Sequence, residues 1–420
     1  MKTKYLFSYI LLSVITFAFS ACNSFDNAID TESVETIEIE IDVASLVPNI
    51  QTLDGLQVKL EDVKFGVAYT TSVVDGKANV QGVAPGIYKI DVWGNARDES
   101  NDIYMLSGNK LNYPLLNKIE SLSINVDGLR ESILIFKEIY YTGSKTALNT
   151  NYFRDQFYEI YNNSEDQTLY LDGIYFANLT PASATTKLPL WPESDGEKYV
   201  YAERVWKFPG SGTDYPLAPG ESFVVAQYAA NHQLPQYNPA SPVDCSSAEF
   251  EFYMGSTTYT DQPAVNMLHV FYNNSALIGS VPQYLTSVFG GAYVMFKPLN
   301  GEQYDPVNTE ELKTPDLNST SSKPPIYAKI PRTYVIDAVE AVDNESKLSA
   351  KRMPASLDKG ATYVGAIYNS LGVARKKVGD HADGTPILQD TNDSSDDFDR
   401  GVVPQFRRYN SKKPSWSQSY

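Results

Sequence analysis

The sequence predicts a mainly β protein built as two antiparallel sandwich units in series, and three observations carry that expectation. Thr36-Ile37-Glu38-Ile39-Glu40-Ile41-Asp42-Val43 alternates polar with apolar residues at every step, the period of a strand with one buried and one solvated face. The chain holds 30 tyrosines and 18 phenylalanines but no long run of helix formers, a composition that suits pleated, half-buried surfaces. Short apolar runs recur between clusters of Gly, Pro, Asn and Asp, the residues that turn a chain sharply.

The first element is not part of either unit. Lys2 and Lys4 precede an apolar stretch from Tyr5 to Phe19, the charged and apolar regions of a secretory leader. At roughly 15 residues it is too short to cross a bilayer, which takes ~20. Phe19-Ser20-Ala21-Cys22 follows and resembles the bacterial lipobox, with Phe19 where leucine is usual. The resemblance implies that residues 1–21 are removed and that Cys22 takes the lipid, so the mature chain is anchored to the membrane without spanning it. Residues 22–33 are polar, acidic and aperiodic, and read as a tether. Asp26 and Asp30 within it hint at export to the outer surface.

Cys22 and Cys245 are the two cysteines of the chain. With Cys22 acylated, Cys245 has no disulfide partner, and its expected state is a small buried hydrophobe. Stability then rests on hydrophobic cores, for which about 400 residues suffice. The formal charge of −17, with basic residues scattered until a small C-terminal cluster, argues against a nucleic-acid partner.

The first unit is expected over 34–130. After the alternating strand come Leu56–Leu60 and Phe65–Tyr69, both of strand length, then Val73–Val80, whose Asp75-Gly76 pair signals a hairpin. Gly82-Val83-Ala84-Pro85-Gly86-Ile87-Tyr88-Lys89-Ile90-Asp91-Val92 completes a strand, a Pro-Gly turn and a Tyr-led strand; Pro85 presets the turn and Gly86 permits positive φ. These residues resemble the carboxypeptidase-regulatory, or transthyretin-like, β-sandwich. The resemblance implies a structural spacer without catalytic residues.

The second unit is expected over 131–405. The strand Ile133–Tyr141, then Gln156-Phe157-Tyr158-Glu159-Ile160-Tyr161-Asn162-Asn163-Ser164, Leu169–Gly173 and Leu217-Ala218-Pro219-Gly220-Glu221-Ser222-Phe223-Val224-Val225-Ala226 resemble the lamin-tail domain, an immunoglobulin-like sandwich. Ser349–Arg352 and Leu388–Phe398 are similar to that family's closing strands. Between 228 and 345 the match lapses, which reads as a long insertion with strand-like runs at Ala248–Met254, Met267–Tyr272 and Ala292–Phe296, and a proline-bearing surface loop at 300–326. Residues 406–420 read as a frayed tail, with a docking peptide as the alternative. The whole arrangement is similar to a family of Bacteroidetes lipoproteins without an assigned activity, domain of unknown function 4876.

Catalytic chemistry leaves little trace. His232, His269 and His381 stand far apart, and no nucleophile elbow, phosphate-binding glycine loop or zinc motif is present. His381-Ala382-Asp383 places two polar side chains on one strand face, as a metal or base pair needs, but a loop hydrogen bond is the commoner use of such a pair. Alternating oxygens at Asp390, Asn392, Ser394 and Asp396 are calcium-like, yet the glycine and distal glutamate of a calcium loop are missing, and Asx turns explain the same residues. Glu159 reads as a strand carboxylate satisfied by a local backbone or tyrosine hydroxyl donor, not as a catalyst. The expectation is a lipid-anchored envelope protein of the outer membrane with a non-catalytic binding or scaffolding role and no cofactor. Its partners are the membrane through Cys22 and a glycan or an outer-membrane protein, as in an uptake system. A hydrolase with a site assembled in the second unit, and a structural subunit of a surface assembly, are the alternatives.

Overall fold

The computed structural model describes residues 35–99, 103–117, 119–130, 133–185, 187–277, 284 and 286–417. The leader, Cys22 and the tether up to residue 34 lie outside the described residues. The fold is mainly β, as the alternation and aromatic content predict.

Seven strands make the first sheet: β1 (Ile37–Ser45), β2 (Gln57–Asp62), β3 (Ala68–Ser72), β4 (Lys77–Val83), β5 (Gly86–Arg97), β6 (Ile103–Leu115) and β7 (Ile119–Arg130). Their order is β3-β2-β5-β6-β7-β1-β4. In β1 the isoleucines at 37, 39 and 41 are buried and the acidic residues between them face outward, so the period of two becomes the two faces of the strand. β6 and β7 pair only where Tyr104–Ser107 meets Asp127–Arg130. Beyond that they part, and the path folds into two layers over a core that includes Ile39, Leu60, Ile90 and Val126.

The register fixes what lies at each end of this sandwich. Ile37 sits opposite Val83, Glu38 opposite Ile119, Asp62 opposite Tyr88 and Gly86 opposite Leu115. The start of β1 and the turns after β2, β4 and β6 therefore share one end. The chain leaves β7 at Arg130 at the other. At ~3.3 Å per residue β7 runs roughly 40 Å between them.

Two local expectations are corrected and one is borne out. Phe65–Tyr69 is not a strand: β3 begins at Ala68, and residues 63–67 form a turn. The Asp62 carboxylate accepts from the backbone N–H of Lys64 (2.9 Å) and of Phe65 (2.6 Å), and Gly66 takes φ +69°, so the chain bends before its apolar side chains can enter a face. Asp75 and Gly76 form the expected hairpin turn, with positive φ at both residues and Val74 and Lys77 exchanging backbone hydrogen bonds at 2.8 and 3.0 Å across it, and the pairing stops there, since β3 and β4 lie at opposite ends of the strand order. The turn thus passes the chain from one layer to the other. Gly86 does not need positive φ; a Cβ there would stand 2.5 Å from Asp62 Oδ2, so close approach demands the glycine.

The second unit packs two sheets. One runs Val265–Asn266, Phe250–Glu251, Ser222–Ala226, Phe157–Asn162, β8 (Leu134–Tyr140), Gly372–Arg375 and Phe398–Val402. The other runs Lys313–Pro315, Ile326–Pro331, Tyr199–Lys207, Tyr175–Leu179, Ala292–Phe296, Val335–Val342 and Thr362–Tyr363, with Leu268–Tyr272 also paired to Tyr199–Lys207. Phe136, Tyr158, Phe176, Trp206, Phe250 and Tyr293 fill the space between them. A further core lies on the second sheet's other face, where Ala177, Val205, Val294 and Ile330 meet Tyr304, Met353 and Leu357. The stretch 228–345 supplies strands to both sheets, because its apolar runs complete faces that the flanking strands leave open. Ser349–Arg352 is not a strand: Glu345–Ala350 is a 3-10 helix capped by the Asn344 side chain.

The tail is not frayed up to residue 417. Lys412 pairs with the backbone of the Pro219–Ser222 corner, donating to Gly220 O and accepting from Ser222 N, both at 2.8 Å. Arg408 grips Glu138 with Nε at 2.7 Å and Nη2 at 3.1 Å, Arg407 pairs with Glu249, and Trp416 donates to Pro216 O at 2.6 Å.

Candidate functional site

The residues singled out in the sequence are held in place by one another. Asp390 Oδ1 accepts from Arg375 Nη1 at 2.9 Å, Asp396 Oδ2 accepts from Gln389 Nε2 at 3.1 Å, and Asn392 takes φ +53° while its carbonyl accepts from Lys359 N. Asp397 accepts from the backbone and hydroxyl of Thr391 at 2.9 and 2.8 Å. Ser394 Oγ donates to Asp358 Oδ2 at 2.7 Å, so the side chains of Asp390, Ser394 and Asp396, three of the four calcium-like positions, face different partners, and among the described residues no group of three or more His, Cys, Asp or Glu side chains converges as a metal site. His381 and Asp383 do not act together. Asp383 accepts from Thr385 Oγ1 at 2.6 Å and from Lys412 at 2.5 Å, and these donors hold its carboxyl well below the usual range. The His381 backbone N–H closes the same turn onto Thr385 O.

The other two histidines are spent on structure. His232 is fully buried, with Nδ1 2.7 Å from Tyr152 Oη and Nε2 2.9 Å from Tyr228 O. His269 Nδ1 lies 2.8 Å from Ala276 O. Burial pushes both imidazoles down to about 4, so both are neutral at physiological pH. Cys245 is buried in an apolar cluster with Tyr140, Phe157 and Val243, and burial holds its thiol protonated.

Glu159 is satisfied neither by a tyrosine nor by a local donor. Its Oε1 accepts from Lys137 Nζ at 2.8 Å, Ser222 Oγ at 2.6 Å and Arg407 N at 3.0 Å. Both side chains of the Lys137–Glu159 pair are essentially without exposure. A second knot sits around Arg375, which reaches Asp337, Asp390 and Asp397 at 3.2, 2.9 and 3.4 Å and donates to Phe136 O at 2.8 Å. Such fully paired buried charges fix register and docking and leave no free group for chemistry.

One region has a different character. Tyr201, Tyr327 and Lys329 lie on two neighbouring strands of the second unit, and the loop before Tyr199 lays Trp191 against the two tyrosines. The Trp191 and Tyr201 rings stack with centroids 3.9 Å apart at 12°, and Tyr327 meets the indole edge at 5.6 Å and 79°. Asp195 locks the group from beneath, accepting from Tyr201 Oη at 3.0 Å and Lys329 Nζ at 2.6 Å. Two loops are stapled beside it. Leu190 N donates to Asp316 Oδ1 and Leu317 N to Leu190 O, both at 2.9 Å.

Glu203 completes this face. Asn178 pairs with Arg204 and Leu179 with Ala202, so Glu203 is the extra residue of a bulge, a device that re-aims a side chain. Its partial burial raises the carboxyl above the usual range, with Arg204 opposing, and it lies close enough to Tyr327 to raise that hydroxyl as well. No hydrogen bond to Glu203 occurs among the described residues. The result is a surface on which Trp191 and Tyr327 are half-buried, Tyr201 is buried beneath the indole, and the partly exposed Glu203 carboxyl stands beside them. By contrast, the nearby cleft among Tyr228, Phe252, Tyr253, Met254 and Tyr259 has a cavity volume of about 10 Å³, room for roughly one water. Sequence reading missed this site; its one signal is a tryptophan between two prolines, Pro189 and Pro192, a combination that packing alone does not call for.

Comparison with known proteins settles the family. The family model described as "Protein of unknown function (DUF4876)" matches residues 218–405. A crystal structure of a DUF4876 family protein from Bacteroides thetaiotaomicron is 56% identical over 91% of this chain and 99% of that one, with a TM-score of 0.68. The chain belongs to the DUF4876 family. No functionally curated protein matches it. The part of this DUF4876 member that the family model matches begins at the corner where the tail docks, and it includes Glu249, Asp337 and Arg375, which hold the buried charge knots. It also includes Tyr327 but stops short of Trp191, Tyr201 and Glu203.

Proposed function

We propose that this DUF4876 protein is a lipid-anchored envelope protein whose first sandwich is a non-catalytic stalk and whose second unit binds a glycan across the Trp191–Tyr201–Tyr327 face. The observation that carries the reading is that face itself. Aromatic rings offer flat apolar surface at low entropic cost, and a sugar presents flat C–H faces to stack on them and hydroxyls to donate to a carboxylate. Glu203 supplies that acceptor, and its bulge aims it away from the strand ladder. The open geometry suits a chain of sugars passing across a surface more than a small molecule, which favours a pocket that buries most of it. The stalk reading rests on topology: the chain enters the first sandwich at one end and leaves it at the other.

Binding without catalysis is favoured because His232 and His269 are hydrogen-bonded and neutral, and the buried carboxylates of the two charge knots are paired. Titrating the chain from Asn23 onward against a panel of bacterial and plant polysaccharides tests the reading. Trp191→Ala and Tyr327→Ala are each expected to weaken binding at least tenfold with little change in melting temperature, since both rings are half-buried at the surface. The reading fails if no polysaccharide on the panel binds, or if W191A binds as tightly as the parent chain.

A further inference from the structure

The end of the first sandwich at which the chain enters gathers five exposed apolar side chains, whereas Leu46, Val74 and Leu111 stand exposed elsewhere on it. Phe65 is 72% exposed, Leu116 68%, Val63 58%, Ile87 52% and Val67 51%. All five lie in, or directly beside, the turns after β2, β4 and β6, which the strand register places at the level of Ile37. Because β2, β5 and β6 are neighbours in that order, these side chains form a row along one rim. Contiguous exposed apolar residues of this kind mark a surface that meets something other than water.

The rim is rigid. Asp62 ties down the backbone of Lys64 and Phe65 through its carboxylate. Asp62 N donates to Val67 O at 2.8 Å, Gly66 N to Asp62 O at 2.9 Å and Val63 N to Ile87 O at 2.9 Å. Phe65 is therefore held outward by a closed turn at the least favourable place for a hydrophobe in water. Lys64 Nζ lies 5.0 Å from the centre of the Phe65 ring, so a cation sits beside the apolar tip.

What covers the rim follows from the chain outside the structure. Fourteen residues separate Cys22 from Ile37, and fully extended they reach no more than ~50 Å. A lipid on Cys22 therefore keeps this end of the sandwich within ~50 Å of the bilayer, while Arg130 leaves at the far end. We infer that the rim of Val63, Phe65, Val67, Ile87 and Leu116 docks into the interfacial region of the lipid bilayer, fixing the stalk upright instead of leaving it to swing on the tether. This inference rests on the lipid anchor proposed above. Tethering raises the local concentration of lipid around the rim, so a docking too weak to hold a soluble protein is sufficient here. Lys64 then meets headgroup phosphates while Phe65 enters the acyl boundary, the arrangement of amphipathic side chains at an interface.

The lipidated full chain reconstituted into phosphatidylethanolamine and phosphatidylglycerol vesicles tests it. Cys245 has no exposure and Cys22 is blocked by acylation, so an introduced cysteine takes a thiol-reactive, polarity-sensitive fluorophore alone. At F65C the label is expected to gain at least twofold in emission on reconstitution and to be quenched by nitroxide lipids. At L46C, at the opposite end, neither change is expected. Co-flotation of the protein with a label at 65 that stays in water overturns the docking and leaves the anchor standing. Absence of co-flotation overturns both. A label at 65 that is shielded on cell membranes but aqueous on vesicles points to a protein neighbour and overturns lipid docking.

Discussion

Replacing Arg375 with methionine is expected to destabilise the second unit by ~3–5 kcal/mol, the cost of removing one partner from a buried ion pair. The guanidinium is 1% exposed and meets three carboxylates and two backbone carbonyls. It joins β8 and the strand Gly372–Arg375 in one sheet to Asp337 in the other. Methionine restores much of the volume but none of the charge, so Asp337, Asp390 and Asp397 face one another. Burial pushes the Asp337 carboxyl up to about 7 even beside Arg375; without the guanidinium it rises further. A carboxyl raised in the folded state contributes stability below its unfolded pKa of about 4, and that contribution is lost as pH rises through the folded value. The loss in R375M is therefore expected to be larger at pH 8 than at pH 5. Denaturant melts at both pH values check this, and equal losses would show that the knot is not electrostatic. Arg375→Lys keeps the charge but not the fork geometry, and is expected to fall between the two.

Ending the chain at Pro404 has the second large effect. The tail brings Arg407 and Arg408 to Glu249 and Glu138, carboxylates without exposure of their own, and sets Trp416 against Tyr215 and Phe250. Water enters the vacated groove and moderates the electrostatic loss, so roughly 3 kcal/mol for each broken pair is a fair measure. Losing the partly buried indole adds about 1–2 kcal/mol. The sum approaches the whole stability of an ordinary domain. Circular dichroism of the truncated chain is expected to report a fall in melting temperature of more than 15 °C, with partial recovery when a synthetic peptide of residues 405–417 is added. A truncated chain that melts within 2 °C of the parent would mean that the tail merely rests on the surface.

How much of this was legible depends on whether the cause is local. The alternation in β1 was readable because burial of one face writes a period into consecutive residues, whereas β8 and Phe157–Asn162, buried on both faces, were readable as short runs rich in apolar and aromatic residues. The turn at 63–67 was misread because Phe65, Gly66 and Val67 have strand-like composition, and what bends them is a side chain at Asp62. Gly86 was read as the residue that permits positive φ, whereas what crowds a Cβ there is Asp62 on another strand. The docked tail left no sequence signal: Arg408 finds a partner 270 positions earlier, and basic residues at a terminus look alike whether paired or solvated. Glu159 was recognised as structural, but Lys137 lies on an adjacent strand and its partnership is visible only through the register of β8 with Phe157–Asn162. The aromatic face was hidden for the same reason, being assembled from a loop and two strands whose residues are 10 to 136 positions apart in the chain.

Stalk, docking rim and binding face all take their meaning from attachment at Cys22, so the chemical state of that residue is the most direct test. Mass spectrometry of the N-terminal peptide of the protein purified from its own membranes measures it. A chain that begins at Cys22 and carries a diacylglyceryl group and an amide-linked acyl chain is expected, with Cys22→Ser lacking both. An N-terminus at any other residue, or an unmodified Cys22, contradicts it.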